Sequence, residues 1–199
     1  MITFREEDHT YWDNDIEYPS VTTILQKEGL IDTRWFDDWS RERGIYVHKA
    51  IELYNKGELL EKDLDEHLAP YLDAWRRLRA NSQIEIIESE KMVYSEIWHY
   101  AGTLDILCKI NGEESIIDLK SGAVDAATPL QLAGYAMAYH ANYYSIKRYG
   151  LSLKDGKATI KEFTNFDDFN IWKSIVAIHQ YKLKHNLIKE KYHANGNSE

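Results

Sequence analysis

Two strand-like segments joined by a tight turn constrain the fold of this chain most. Ile97 to Ile110 and Glu114 to Lys120 are rich in apolar and alternating positions. The Asn111-Gly112 pair that lies between them is a strong signal for a two-residue hairpin turn. The sequence therefore predicts two antiparallel strands in the middle of the chain, and a sheet around them.

Each of these segments carries an aspartate within a short motif. The first motif is Gly102-Thr103-Leu104-Asp105 and the second is Asp118-Leu119-Lys120, which places the two aspartates thirteen positions apart. Hairpin pairing would bring the two carboxylates together. Side chains two apart on a strand point to the same face, so Asp118 and Lys120 are predicted to project into one pocket.

A carboxylate pair beside an ammonium group is suited to metal-assisted phosphodiester hydrolysis. A hard cation such as Mg²⁺ prefers oxygen ligands and keeps several waters when few carboxylates hold it. The Lys120 ammonium could orient or deprotonate such a water and offset charge that builds on the phosphate. The ordinary alternative is an exposed Asp118–Lys120 ion pair of little consequence.

Composition favours a single soluble domain. The chain has 199 residues with 44% hydrophobic content, which is enough for one substantial core. We expect one domain over residues 1–189 and a polar, frayed tail over residues 190–199. Because Cys108 is the only cysteine, the chain can form neither an intrachain disulfide nor a four-cysteine zinc or iron–sulfur site.

Charge and the lack of apolar runs bear on location and partners. The first eight residues are acidic and lack the apolar core of a signal peptide, and no apolar run reaches membrane-spanning length, so we expect a cytoplasmic protein and no membrane. The net charge of −9 disfavours a protein that coats nucleic acid. Residues 119–199 nevertheless hold eleven basic and seven acidic groups, a net charge of +4, which suits a local track for a polyanion.

The remaining pattern predicts helices on either side of the central strands. A hairpin is predicted at Thr10 to Tyr18, followed by a short helix from Val21 to Glu28 with Ser20 as its N-cap. A helix-rich stretch from about Asp32 to Asn81, interrupted near Gly44 and Gly57, carries three aromatic residues expected mainly in the core, with base stacking as the alternative: Trp35, Phe36 and Trp39. Downstream we predict a helix at 127–142, a hairpin around Asp155-Gly156 and a last helix at 167–189.

Two further motifs place polar side chains at helical spacing. His48 and Glu52 lie four apart, as a metal ligand and its partner would, although a half-buried histidine bonded to Glu52 explains the same pattern. Gln131 and Tyr135 also lie four apart, with Gly134 between them, and could hold a lysine or a phosphate. The ordinary alternative is a helix packed through Tyr135 with Gln131 exposed.

Taken in order, these pieces resemble the PD-(D/E)XK nuclease superfamily, in particular its RecB-like exonuclease branch. The resemblance rests on four elements over about 90 residues: Gly44 with His48, Gly102 to Asp105, Asp118 to Lys120, and Gln131 with Tyr135. Pro19-Ser20-Val21-Thr22 is also similar to the start of mitochondrial genome maintenance exonuclease and related phage enzymes.

The resemblance implies an α/β fold with a restriction-endonuclease-like core, in which helices flank a central mixed β-sheet and an N-terminal hairpin and helical region precede it. It implies a Mg²⁺ or Mn²⁺ site formed by His48, Asp105, Asp118 and the carbonyl of Leu119. Glu90 is a possible additional ligand, for which Glu85 and Glu88 compete.

The resemblance also assigns roles to the other polar groups. Lys120 would position the attacking water, and Gln131 and Tyr135 would line the DNA track. Ser20 and Thr22 are further possible DNA contacts, although helix capping alone explains Ser20.

The function implied is a metal-dependent DNA exonuclease that acts in recombination, repair or end processing, on single-stranded or duplex ends. A recombination partner protein is possible, as is a trimer of the kind found among phage relatives, and a phage-encoded enzyme would work in the host cytoplasm. The single cysteine disfavours the iron–sulfur members of the branch. Two alternatives remain open: an endonuclease of the same superfamily, and a non-catalytic DNA-binding or partner-binding protein that kept the fold.

Overall fold

The computed structural model describes residues 2–5, 10–31, 38–60, 62 and 64–188. They form eight strands, which are β1 Thr3–Arg5, β2 Thr10–Asp13, β3 Ile16–Tyr18, β4 Ile84–Ser95, β5 Tyr100–Ile110, β6 Glu113–Lys120, β7 Lys147–Lys154 and β8 Lys157–Glu162. The α-helices are α1 Val21–Lys27, α2 Asp38–Lys56, α3 Ala69–Asn81, α4 Thr128–Tyr139 and α5 Asp167–Lys184, and a 3-10 turn spans Tyr143–Ser145.

The central sheet has five strands in the order β4-β5-β6-β7-β8. The pairs are antiparallel except for β6 and β7, which run parallel. A parallel pair needs a crossover connection, and α4 supplies it between β6 and β7. The predicted α/β fold with a mixed sheet flanked by helices is therefore confirmed.

Hydrophobic cores fill both faces of this sheet. On one face, α1, α4 and α5 pack through a cluster that includes Ile24, Leu132 and Trp172. On the other face, α2 and α3 pack through a cluster that includes Ile51 and Trp75. The two helical layers thus lie on opposite sides of the sheet, and α2 and α5 do not share a core.

The N-terminal hairpin prediction is confirmed, and β1 adds a third strand in the order β1-β2-β3. The Ser20 hydroxyl accepts a hydrogen bond from the Thr23 amide at 2.9 Å, so it caps α1 as predicted. A parallel bridge between Ser20 and Ala101 joins this small sheet to β5.

Several boundaries and burial predictions were wrong. Strand β5 begins at Tyr100 because residues 96–99 form a turn that ends at His99 with a φ of 48°. Helix α2 continues through Gly44 instead of breaking there, and its Trp39 side chain is 59% exposed instead of buried. Trp35, Phe36 and the 190–199 tail lie outside the described residues, and α5 ends at Lys184.

None of the helices described combines the length and the apolar content that crossing a bilayer requires.

A buried polar cluster ties α1 to α5 and leads to a prediction about acid stability. The Glu28 carboxylate binds His179 Nδ1 at 3.0 Å and the Lys182 ammonium on its other oxygen. Burial lowers the pKa of His179, with Lys182 and Lys27 adding to the effect against Glu28. For Glu28, burial acts to raise the pKa, but the bonds from Lys182 and His179 outweigh it and hold the pKa below its ordinary value.

The lowered pKa values of His179 and Glu28 both make the fold more stable at neutral pH than in acid. A group whose pKa is depressed by folding stabilises the fold above its unfolded pKa, and this stabilisation is lost as the pH falls through the folded value. We therefore expect the free energy of unfolding to fall as the pH drops below 6.5 and again below 4.5, the ordinary values for His179 and Glu28. Replacing His179 by Gln should lower the free energy of unfolding by about 1–3 kcal/mol at neutral pH. It should also reduce the fall in the free energy of unfolding that we expect as the pH drops below 6.5.

Urea unfolding at a series of pH values measures both effects. An exposed histidine, His140, provides the matched control as His140→Gln. Identical pH profiles for the wild type and His179→Gln would contradict the assignment.

Candidate metal centre

The candidate site lies where β5 and β6 separate. Their pairing continues from the hairpin turn to Ile106 opposite Ile117, and the next residues along the two strands are Asp105 and Asp118. Beyond this point the Asp105 side chain replaces the backbone ladder, since its Oδ2 accepts a 2.6 Å hydrogen bond from the Leu119 amide. The two aspartates predicted to meet across the hairpin therefore stand on either side of a fork in the sheet.

Three side chains converge on this fork from three different elements. His48 of α2, Glu90 of β4 and Asp105 of β5 each offer a ligand atom, and these atoms all lie within 4.8 Å of one another. His48 Nδ1 is 3.5 Å from Asp105 Oδ1 and 3.8 Å from Glu90 Oε1. Glu52, the other candidate partner of His48, pairs instead with Lys49 and Lys56.

Glu90 reaches the group because of an unusual backbone conformation. Ser89 pairs with Ile106 and Lys91 with Leu104, so Glu90 lies opposite Asp105 in the register of β4 and β5. Its φ of 53° is in the left-handed region, which is uncommon for glutamate and typical of strained functional positions.

The other two glutamates of this strand face elsewhere. Glu85 pairs in register with Lys109, and Glu88 forms an ion pair with Lys91. Of the three glutamates that the sequence left as alternatives, the structure brings only Glu90 to His48.

The backbone N–H and C=O groups of Leu119 orient two of these side chains. Its amide binds Asp105, and its carbonyl oxygen lies 2.9 Å from His48 Nε2, which donates to it. With Nε2 occupied in this way, Nδ1 is the nitrogen that faces the two carboxylates. A carbonyl oxygen has two lone pairs, so Leu119 keeps one acceptor site for a further contact.

The close packing of charges shifts the pKa values of the group. Burial lowers the pKa of His48, but the charges of Asp105 and Glu90 outweigh it and hold the pKa well above its ordinary value. Burial raises the pKa of Asp105, and the charges of His48 and Lys120 with the Leu119 hydrogen bond bring it below its ordinary value. The pKa of Glu90 is raised by burial and by the charge of Asp105. The Asp105 and Glu90 carboxylates thus favour the charged form of the His48 imidazole.

Asp118 and Lys120 form a second part of the site, in which Asp118 is deeply buried and Lys120 is half-buried. Asp118 is 1% exposed, and its Oδ2 lies 2.8 Å from Lys120 Nζ. Apart from the Lys120 ammonium, no hydrogen-bond donor among the described residues reaches either oxygen of Asp118. Burial raises the pKa of Asp118 to about 6, against the opposing charge of Lys120.

Lys120 enters the pocket as an ammonium group. Burial would lower the pKa of Lys120, but the charges of Asp118 and Asp105 raise it above its ordinary value. Lys120 Nζ also donates to Gln131 Oε1 at 3.2 Å.

Gln131 and Tyr135 are buried behind Lys120. They are 8% and 4% exposed, and Gln131 Nε2 donates to the Tyr135 hydroxyl at 3.1 Å. The Thr22 hydroxyl of α1 hydrogen-bonds with the same phenol. A chain of polar contacts thus runs from Thr22 through Tyr135 and Gln131 to Lys120.

The comparisons with known proteins identify the family of the chain. Residues 25–198 match the family model of the PD-(D/E)XK nuclease superfamily. The chain belongs to this superfamily. PD-(D/E)XK nucleases are metal-dependent phosphodiesterases, so the site described above lies in a nuclease fold that uses divalent cations.

A solved structure shares the fold of this chain at low sequence identity. A candidate exonuclease from Eubacterium rectale superposes with a TM-score of 0.55 and 14% identity, over 86% of this chain and 83% of that one. The structure of SSO0001 has 14% identity over 82% of this chain and 84% of that one, and its TM-score of 0.37 is too low to carry an argument. No protein with a curated description matches the chain in sequence.

The residues present fit the divalent cation that PD-(D/E)XK nucleases use. One imidazole nitrogen and two carboxylates converge on one point, and a third carboxylate, Asp118, is buried beside them with Lys120 as its partner. Burial raises the pKa of Asp118 despite Lys120, so a further cation would stabilise its charged form. Asp118 does not belong to the compact group of three, and Lys120 is its nearest charge among the described residues.

Two glycines of the PD-(D/E)XK motifs are explained by close packing. A Cβ atom on Gly102 would lie 2.7 Å from Tyr135 Cε1, and one on Gly134 would lie 2.9 Å from the Trp172 ring. The first glycine lets the Tyr135 ring pack directly on β5. The second lets α4 approach α5.

We expect Gly102→Ala to disturb the site by displacing Tyr135. The added methyl group must displace the Tyr135 ring, which should cost about 1–3 kcal/mol of folding free energy and loosen the contact of Gln131 with Lys120. Thermal unfolding and the rate of DNA hydrolysis measure the two effects. Gly122→Ala is the matched control, because its Cβ would meet nothing within 4 Å. Equal stability and activity for the two variants would contradict this account.

Sequence reasoning missed two hydroxyl groups beside the site. The Tyr11 hydroxyl of β2 hydrogen-bonds with Thr103 Oγ1 at 2.8 Å. Burial raises the pKa of Tyr11, and the charge of Glu90 adds to the shift despite the bond with Thr103. The only available signal was the position of Thr103, two residues before Asp105 on the same strand.

Proposed function

We propose that this protein is a metal-dependent DNA exonuclease that hydrolyses phosphodiester bonds at DNA ends. One observation carries the proposal: the His48, Glu90 and Asp105 group lies at the fork where the buried Asp118 pairs with the half-buried Lys120. Charged groups of this kind are costly to gather without a metal, which disfavours a non-catalytic protein that only retained the fold.

The cation would be held first by His48 Nδ1, Glu90 and Asp105. Asp118 and the free lone pair of the Leu119 carbonyl are the further ligands that we propose. Mg²⁺ and Mn²⁺ both accept carboxylate oxygens, and the imidazole ligand favours the softer Mn²⁺. When bound, a divalent cation polarises the phosphate and makes a water molecule a stronger nucleophile at neutral pH.

Lys120 would position the attacking water and stabilise charge on the phosphate. Its ammonium group has three donors, of which Asp118 and Gln131 engage two. One N–H is left for a water or a phosphate oxygen. An ammonium held between a carboxylate and an amide has little freedom to reorient, so the group is organised before the substrate arrives.

Gln131 and Tyr135 would act through Lys120. The sequence resemblance suggested that they line the DNA track, whereas their burial and their bonds support a positioning role behind the ammonium. Gln131 limits the rotation of Lys120, and Tyr135 with Thr22 limits the rotation of Gln131.

The choice of exonuclease, and of DNA as substrate, rests on the superfamily and on the likeness to exonucleases of its RecB-like branch. We further propose a role in recombination, repair or end processing, in the cytoplasm of a cell or of a phage-infected host. An endonuclease of the same superfamily is the competing function.

Labelled DNA distinguishes these functions. Single- and double-stranded substrates, linear and circular and labelled at the 5′ or the 3′ end, are incubated with Mg²⁺, with Mn²⁺ and with EDTA. We expect mononucleotides or short products from linear DNA, none from circles, and none in EDTA. Cutting of circles would replace the exonuclease by an endonuclease. Parallel assays with Asp118→Asn exclude a contaminating nuclease.

A further inference from the structure

Strands β7 and β8 present an exposed face that begins beside Lys120. In the register of the sheet, Ser152 of β7 lies next to Lys120, and Thr159 of β8 lies next to Ser152. Neighbouring strands are about 4.8 Å apart, so the backbone at Thr159 lies about 10 Å from the backbone at Lys120. A polymer that places one of its groups at Lys120 can therefore reach this face as well.

The packing of alternate residues shows on which side of the sheet this face lies. The core-facing side chains of β7 and β8 pack on α2 and α3, and they include Leu151, Leu153 and Ile160. Because side chains alternate along a strand, Ser152 and Thr159 point to the opposite side of the sheet. Lys120 lies on that side too, where its ammonium contacts Gln131 of α4. Thr159 is exposed, so the face is open to solvent at this point.

Three lysines stand on this exposed face. Lys157 and Lys161 lie two residues before and two residues after Thr159 on β8, so they share its side of the sheet, at about 7 Å along the strand. Lys154 ends β7 and lies opposite Lys157 in register. All three lysines are exposed, and none is held in an ion pair within the described part of the chain.

Lys154 and Lys157 form a cross-strand pair of like charge. Like charges that lie directly opposite each other in an antiparallel pair destabilise it. The Asp155-Gly156 turn, with φ values of 51° and 68°, is a tight two-residue turn that sets the two lysines opposite each other. Arg77 of α3 adds a further positive group, because its guanidinium donates to the Gly156 carbonyl at 2.7 Å. A bound anion would compensate the repulsion at this turn.

The acidic residues around these lysines are few. Residues 147–162 contain five basic and two acidic residues. One of the two, Glu162, pairs with Lys147 and lies opposite Tyr149, which packs on the other side of the sheet. The second, Asp155, is in the turn, and Asp125 of the neighbouring loop accepts hydrogen bonds from the start of α4. The three lysines thus outnumber the two carboxylates that border them.

Two contacts hold the face in place relative to the metal centre. The Ser152 hydroxyl donates to the carbonyl of Gly122, which lies in the loop that follows Lys120. The Lys161 ammonium lies 5.0 Å from the centroid of the Phe163 ring, a cation–π contact that limits its movement. The positive groups are therefore placed before a ligand arrives.

We propose that this face, the β7–β8 platform of Lys154, Lys157, Thr159 and Lys161, binds phosphates of the DNA strand whose scissile phosphate lies at Lys120. The inference rests on the proposed nuclease function. Phosphates of one strand of a duplex follow at about 3.4 Å along its axis, so the distance of about 10 Å from Lys120 to Thr159 corresponds to about three phosphates. Lysines and a hydroxyl read the backbone and not the bases, so the platform binds DNA of any sequence.

The salt dependence of DNA binding tests the platform. Fluorescence anisotropy of end-labelled single- and double-stranded DNA is measured with the full chain in EDTA over a series of salt concentrations. We expect Lys154→Gln, Lys157→Gln and Lys161→Gln each to weaken binding by about threefold or more. The slope of log K against log salt concentration should become shallower by about 0.7 per lysine on a single strand and about 0.9 on a duplex, and by about 2–3 in the triple variant.

An exposed lysine elsewhere on the sheet provides the matched control. Lys109 of β5 lies between Glu85 and Glu114 in register, next to the β5–β6 turn, and Lys109→Gln removes the same charge. We expect this variant to keep the wild-type slope. A triple variant with the slope of the wild type, or a Lys109→Gln slope that changes as much as those of the platform variants, would overturn the platform.

Thermal unfolding without DNA shows whether Lys157 serves a ligand or the fold. Because Lys157→Gln removes the repulsion with Lys154, we expect its melting temperature to equal or exceed that of the wild type. A lower melting temperature would overturn the assignment of Lys157 to a ligand.

Hydrolysis of the same DNA with Mg²⁺ or Mn²⁺ separates this inference from the proposed function. If the wild type degrades DNA and the triple variant binds DNA as the wild type does, the platform is wrong and the nuclease stands. If the wild type degrades no DNA while the lysine variants lose binding with the expected slopes, the platform stands and the nuclease is wrong. A wild type that does not bind DNA overturns the platform.

Discussion

Asp118→Asn should abolish most of the nuclease activity without weakening the fold. We expect kcat to fall by about 100- to 1,000-fold, because the variant removes a charge that cation binding and transition-state stabilisation both require. Affinity for Mn²⁺, measured by titration calorimetry, should fall at least about tenfold. The amide keeps the size of the carboxylate, so the packing around it is preserved.

The stability readout separates this site from an ordinary structural ion pair. Burial raises the pKa of Asp118 to about 6, which means that the folded state disfavours its charged form despite Lys120. Replacing the carboxylate by a neutral amide removes this cost, while Lys120 keeps its bond with Gln131 and the charge of Asp105. We therefore expect the melting temperature at neutral pH to stay unchanged or to rise. Asp155→Asn, in the exposed β7–β8 turn, is the matched control for activity. A clear loss of stability in Asp118→Asn would show that the aspartate serves the fold.

Lys120→Met should separate the chemical step from cation binding. The methionine keeps most of the side-chain length and removes the ammonium, so the hydrolytic water loses its positioning group. We expect kcat to fall by about 100- to 10,000-fold, as for other groups that act on a reacting water, while Mn²⁺ affinity stays within a few-fold of the wild type.

Single-turnover hydrolysis of an end-labelled DNA measures this loss at the chemical step. Lys109→Met, on the exposed part of β5, is the matched control. Full metal-dependent activity in Lys120→Met would remove Lys120 from the mechanism.

The amino-acid pattern predicted the framework of the site because the framework is local. A two-residue turn at Asn111-Gly112 sets the register of β5 and β6, and this register places Asp105 beside Asp118. The period of a strand puts Lys120 on the side of Asp118, and the period of a helix puts Gln131 beside Tyr135. These relations follow from backbone geometry over a few residues.

The positions of Glu90, Tyr11 and Trp39 could not be predicted from local sequence spacing. Glu90 reaches the centre only because its backbone adopts a positive φ, a choice that strand alternation does not predict. Tyr11 meets Thr103 only because the N-terminal sheet docks on β5 through Ser20 and Ala101. Trp39 was expected in the core because tryptophan usually is, whereas its exposure depends on how α2 packs against the sheet.

The backbone N–H and C=O groups of Leu119 affect how such a centre responds to substitution, in evolution and in the laboratory. Its amide fixes Asp105 and its carbonyl fixes His48, and both contacts are independent of the leucine side chain. Substitution of Leu119 by any residue other than proline acts on the core and leaves these bonds in place, so an alanine scan passes over groups that align two ligands. Only a change in the main chain, such as an amide-to-ester replacement that removes the Leu119 N–H, would release Asp105 while every side chain of the site stayed the same.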